Sequence, residues 1–137
     1  MNLLDKAFLL KKTPLFESVD LDLLLTISDK MERLHYKQEE KIFQVNQEAY
    51  RMYLIVSGTV VIQDKSGKKI IELTEGEFFG EEAIFNGQPR AYNAVCKTTV
   101  TLLALSQSYL LSIIAECPSV AIAFLEVYTK NIGFRSR

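Results

Sequence analysis

The chain has 137 residues, 48% of them apolar, and its 16 Lys and Arg nearly balance 17 Asp and Glu for a net charge of −1. One-domain length and ordinary globular composition exclude a disordered chain, and a core of this size needs neither a metal nor a disulfide. The near-neutral balance lacks the basic excess of a small nucleic-acid binder, and the two cysteines are too few for a disulfide scaffold. No apolar run is long enough to span a membrane, and Met1–Lys6 lacks the basic start and apolar stretch of a signal peptide, so a cytoplasmic protein is expected.

The patterns run helix, then many strands, then helix. Asp20 can cap a helix whose apolar positions Leu21, Leu24, Leu25, Ile27 and Met31 recur at helical spacing. From Leu34 to Ser106 the period changes to short β-rich runs. Ile42–Val45 and Met52–Val56 are two of them. Val60–Ile62 and Ile70–Leu73 flank Lys65-Ser66-Gly67-Lys68, a hairpin turn, and Val100–Leu105 closes the series. After Ser106 the helical stripe Tyr109, Leu110, Ile113, Ile114 runs to Cys117-Pro118, and Pro118 opens a further helix. Val120, Phe124, Val127 and Tyr128 form its apolar face, with Ile132 continuing it and Gly133 ending it. The expected fold class is mainly β, a jelly-roll-like β-roll, with an N-terminal helix, one short helix inside the strand series and two C-terminal helices. Residues 1–137 are expected to form a single domain.

One stretch breaks the strand rhythm, from Gly76 to Ala91. Phe78 and Phe79 end a strand, and Gly80 permits a left-handed backbone or a close approach. Glu81 to Phe85 can form a single helical turn whose first N–H groups favour an anion. Arg90 is near enough to fold back over the same spot, where its planar fork could hold a phosphate. Glu81 repels phosphate but accepts hydrogen bonds from a sugar hydroxyl, so a ligand with both groups explains both charges. The same spacing also fits a plain surface connection in which Glu81 and Arg90 form a weak ion pair.

Phe79-Gly80-Glu81-Glu82-Ala83-Ile84 followed by Pro89-Arg90-Ala91 resembles the phosphate-binding cassette of the cyclic nucleotide-binding domain family. That family includes regulatory subunits of cyclic-AMP-dependent kinase, catabolite activator proteins and cyclic-nucleotide-gated channels. Leu15-Phe16, Glu40–Phe43, Met52–Gly58, Lys97–Leu105 and Pro118 with the last helix resemble its flanking elements, so the likeness covers about residues 14–132. The resemblance implies a non-enzymatic regulatory domain whose ligand is cAMP or cGMP, with no other cofactor and no metal. By position, Gly80, Ala83, Arg90 and Ala91 would hold the phosphate and Glu81 the ribose, while Asn93 could offer a further hydrogen bond to phosphate or guanine. The C-terminal helix would be the lid. Four residues depart from the family pattern. Glu82 replaces an aliphatic residue, Tyr92 a small one, and Glu39 and Asn46 stand where turn glycines are usual. Glu82 and Tyr92 motivate the alternative of a degenerate domain that binds no nucleotide and acts as a protein-interaction module.

The remaining residues read as structural. His35 is a surface strand residue, Cys96 and Cys117 are small packing residues, and Lys11-Lys12, Arg135 and Arg137 are solvated. Phe124, Tyr128 and Phe134 read as core or dimer seam, although the Ile132–Phe134 end is also a natural place for a residue packing on a purine. No helix-turn-helix is expected after Gly133, so the output is expected from an unknown effector protein or a homodimer through the C-terminal helix.

Overall fold

The computed structural model describes residues 1–136. Along the chain the elements are α1 (Leu3–Lys11), α2 (Leu21–Lys30), β1 (Glu32–Tyr36), β2 (Lys41–Phe43), β3 (Arg51–Ser57), β4 (Val60–Gln63), β5 (Lys69–Leu73), β6 (Phe78–Phe79), α3 (Glu82–Asn86), β7 (Asn93–Cys96), β8 (Val100–Ser106), α4 (Gln107–Glu116), α5 (Pro118–Lys130) and a 3-10 turn (Gly133–Ser136). They sort into two compact units. One holds Met1–Met31 and Leu105–Gly133, the other Glu32–Ala104 and the residues from Phe134 on.

In the helical unit, Asp20 Oδ1 accepts the Leu23 N–H at 2.9 Å and starts α2 as its sequence predicts. Leu24 and Ile27 are buried, whereas Leu21 stays half exposed. A second N-terminal helix, α1, adds to the single one expected. Its start is a reciprocal capping box, with the Asn2 side chain accepting from the Asp5 N–H at 2.8 Å and the Asp5 carboxylate accepting from the Asn2 N–H at 3.3 Å. The helix α5 opens on Pro118 as expected but stops at Lys130, because Asn131, a weak helix former, turns extended. Ile132 therefore lies off the helix, and Gly133 at φ +54° begins the 3-10 turn instead of closing α5. No single helix among the described residues is long and apolar enough to cross a membrane.

The second unit is the expected β-roll. Its two antiparallel sheets have the strand orders β1-β8-β3-β6 and β2-β7-β4-β5. Alternate residues of β4 (Val60, Ile62) and β7 (Ala94, Cys96) are fully buried, the period-two signature of strands with one apolar face. At one end of the core the rings of Phe43, Tyr53, Phe79 and Tyr92 pack with centroids 5.2–6.0 Å apart. The hairpin between β4 and β5 sits on Lys65–Lys68 as predicted. Asp64 Oδ1 accepts the Ser66 and Lys68 N–H groups at 2.9 and 3.0 Å, and Gly67 takes φ +87°. His35 lies exposed on β1 with its Nδ1 3.0 Å from the Thr101 hydroxyl.

Glu39 and Asn46, which replace expected glycines, are the two non-glycine residues with positive φ among the described residues, both at +74°. Asparagine tolerates this region, whereas glutamate has no local compensation for its Cβ. The turn at Glu39 points its N–H at the Cys96 carbonyl, 2.8 Å away, so β7 fixes the backbone there. We predict that Glu39→Gly raises stability by up to about 1 kcal/mol through relief of the left-handed strain. Urea unfolding of both proteins checks the sign, and a lower midpoint for the variant contradicts the strain argument.

Candidate functional site

Pairing of β3 with β6, Tyr53 opposite Phe79 and Leu54 opposite Phe78, brings the carbonyls of Arg51 and Gly80 to one end of the aromatic cluster. Arg90 reaches that end. Its Nη1 donates to the Gly80 carbonyl at 2.6 Å and its Nη2 to the Arg51 carbonyl at 2.7 Å. The guanidinium stacks on Phe43 with its carbon 4.1 Å from the ring centroid. The main chain of Arg90 is held too. Its N–H donates to the Gln47 carbonyl, and its carbonyl accepts from the Asn46 N–H, both at 2.8 Å. Gly80 has φ +85°, and a Cβ there would lie 2.8 Å from Arg90 Nη1, so glycine is required both for the turn and for the approach of the arginine. Arg90 is 3% exposed, and among the described residues no carboxylate lies within ion-pairing distance of it. An open cleft of about 590 Å³ between Phe43, Tyr53 and the Gln47–Arg51 segment reaches the guanidinium.

Glu81, the next residue after Gly80, is fully buried and does not meet Arg90. Its partner is Arg135, whose Nε donates to Oε1 at 2.6 Å and to Oε2 at 3.2 Å. Arg135 also donates from Nη2 to the Phe78 carbonyl and lies between the rings of Phe78 and Phe134, 4.6 and 4.4 Å from their centroids. Its side chain is only 11% exposed, which corrects the expectation of a solvated tail, because a buried carboxylate within reach outweighs hydration of the guanidinium. Arg137, expected to be solvated as well, lies outside the described residues.

The surroundings of Glu81 are acidic. Burial and the charge of Glu82 push the Glu81 carboxyl up to about 8, with Arg135 acting against both. Glu82 faces inward, and among the described residues its buried Oε2 has no hydrogen-bond partner. Burial, then the charges of Glu82 and Glu81, hold the Tyr92 hydroxyl well above its ordinary range. Tyr92 is fully buried, its hydroxyl accepts the Gly80 N–H at 3.1 Å, and Phe134 meets it edge-on with centroids 5.2 Å apart.

Gly80 and Arg90 are thus brought together, with Glu81 and the buried Ala83 following in the same turn, where α3 starts one residue later than predicted. Ala91 is exposed and lines a separate, smaller cleft with Val45 and Asp64–Ser66. Asn93 is engaged with the backbone, its Oδ1 accepting from Val45 N–H at 2.9 Å and its Nδ2 donating to the Asp64 carbonyl at 3.2 Å. Two participants carry no sequence signature, the Arg51 carbonyl and Arg135, and a third, the Tyr92 hydroxyl, belongs to a residue marked in the sequence by its size.

A profile of the cyclic nucleotide-binding domain family matches residues 33–117. A cGMP-dependent protein kinase of Drosophila melanogaster is 32% identical over 94 residues, which is 65% of this chain and 10% of the kinase. The chain thus spans about a tenth of the length of that relative. The catabolite activator protein of Thermus thermophilus superposes with a TM-score of 0.78 at 26% identity, over 86% of this chain and 57% of that one. The regulatory subunit of a cAMP-independent protein kinase A from Trypanosoma brucei superposes with a TM-score of 0.78 at 19% identity, over 94% and 47% of the two chains, and speaks to the fold alone.

Folding raises the Glu81 carboxyl from its ordinary 4.5 to about 8. Between those values the folded protein holds more protons than the unfolded chain. The stabilisation is complete below the ordinary value and is lost as pH rises through the folded one. Between pH 5 and 8 the wild type should therefore lose unfolding free energy relative to Glu81→Gln, by at most about 1.4 kcal/mol per pH unit. Urea titrations across that range test this, and parallel curves for the two proteins contradict it.

Proposed function

This chain belongs to the cyclic nucleotide-binding domain family, and on that premise we propose that it is a regulatory sensor of cAMP or cGMP. One observation carries the reading: Arg90 is a buried cation whose partners are two neutral carbonyls and an aromatic ring, at the end of an open cleft. Burying a charge without a counter-charge is costly, and a phosphate supplies one through the fork geometry of the guanidinium. In this reading the Gly80–Ala83 turn, Arg90 and the Ala91 amide hold the cyclic phosphate, Asn93 adds a polar contact at its edge, and Glu81 accepts from the ribose hydroxyl. The C-terminal helix is the lid. Its two states differ in affinity for the ligand, and that difference is the signal passed to an effector protein or a second copy. The role is regulatory, with the chemistry left to the effector.

A second reading, a member of the family that binds no nucleotide and works through protein contacts, draws on Tyr92 and Glu82. Tyr92 already holds the Gly80 N–H, and Glu82 sets a second carboxylate facing inward.

Calorimetric titration with cAMP and with cGMP separates the two readings. Binding by the wild type is expected, and Arg90→Ala should weaken it by about 2–4 kcal/mol through loss of a charge-assisted contact. Because Arg90 also ties two carbonyls, Arg90→Lys and a thermal melt accompany it as controls for folding. Equal affinity in Arg90→Ala removes Arg90 as the phosphate ligand. Glu82→Leu should tighten binding, since it deletes a carboxylate beside the anion. Absence of binding in both wild type and Glu82→Leu favours the second reading.

A further inference from the structure

The groups that a ribose and a phosphate would need are engaged by the chain itself, and two adjacent residues lie behind both engagements. Arg135 donates twice to Glu81, and Phe134 packs edge-on against Tyr92, whose hydroxyl holds the Gly80 N–H. These contacts are built rather than incidental. Glu81 is fully buried and Arg135 nearly so, Phe134 is 6% exposed, and a third hydrogen bond runs from Arg135 to the Phe78 carbonyl. The guanidinium between two phenyl rings places a planar cation beside the carboxylate. Ribose hydroxyls and the Arg135 Nε–H are both donors, so they compete for the same Glu81 oxygens. Glu81 is fully buried with Arg135 against it, so a ribose hydroxyl reaches its oxygens only if a covering group moves aside.

We propose that Phe134-Arg135 is a tethered competitor of the nucleotide: the ligand and this segment occupy Glu81 in turn, and release of the segment is the first consequence of binding. The proposal rests on the reading of the Gly80–Arg90 site as a cyclic-nucleotide pocket and adds its regulation. A tethered occupant acts at a high effective concentration, about millimolar for a short linker, and lowers the apparent affinity by the fraction of molecules whose site is free. It also reverses the sign of one local change. A segment that merely closes over the ligand becomes more protected on binding, whereas a displaced one becomes less protected.

Fluorescence titration of the full chain with labelled cAMP and labelled cGMP tests the competition, and hydrogen exchange with and without unlabelled nucleotide tests the displacement. Arg135→Ala should bind at least about tenfold more tightly than wild type. Because this variant leaves Glu81 beside Glu82 without its cation, Phe134→Ala serves as a second one that loosens the segment and leaves the Glu81 carboxylate untouched. It too should bind more tightly. In the wild type, residues 134–136 should lose protection when nucleotide is added. Equal affinities in wild type and both variants, or increased protection of 134–136, overturn the tethered competitor and leave the pocket reading standing. No binding by wild type or either variant overturns the pocket reading and the competitor with it.

Discussion

A buried arginine that pairs with no carboxylate among the described residues is the constraint around which the β unit is arranged. Arg90 is held by the carbonyls of Gly80 and Arg51 and by the face of Phe43, and each contact makes a demand on a different part of the chain. Gly80 must lack a Cβ, or the guanidinium has no room. The β3–β6 pairing must keep its register, or the two carbonyls no longer converge. Phe43 must end β2 with its ring turned inward, where it also packs on Tyr53, Phe79 and Tyr92. Carbonyl dipoles and a ring quadrupole solvate the cation in part, which leaves its charge available to an anion.

The second arginine follows different physics. Arg135 meets a carboxylate that is already destabilised by burial and by a like-charged neighbour, so their pairing relieves a cost more than it adds stability. The two cations therefore divide the site's labour by environment. Arg90 lies beside an open cleft with neutral carbonyls as its partners, and Arg135 offsets the cost of burying a carboxyl group. The pairing of Glu81 with Arg90, which sequence spacing allows, does not form: Glu81 meets Arg135, and Arg90 donates to the Gly80 and Arg51 carbonyls.

Much of this was legible in the sequence, and the gaps have causes. Strands, hairpin and caps rest on local chemistry: period-two burial in Val60–Gln63, the Asp64–Lys68 turn, the side chains of Asp20 and Pro118. The Gly80–Arg90 segment was legible because a glycine, a charge pair and a broken period coincide within a few residues. The tail was not, since Arg135 finds Glu81 across 54 positions and no local pattern encodes that contact. Ile132 was misplaced because an apolar residue at helical spacing looks alike on either side of a helix end. Asn2 and Asp5, three positions apart, encode the capping box of α1 in local sequence.

The main-chain bonds that join Arg90 to Asn46 and Gln47 bear on how such a site tolerates sequence drift. Both bonds are between backbone groups, so they ignore the side chains around them. Exchanges at Glu48 or Ala49 leave the arginine where it is. Insertion or deletion of one residue between Phe43 and Asn46 is expected to move it, because it shifts which backbone groups face the Arg90 N–H and carbonyl. The placement of this arginine is thus inherited as a loop length and one left-handed residue, Asn46, rather than as a loop composition.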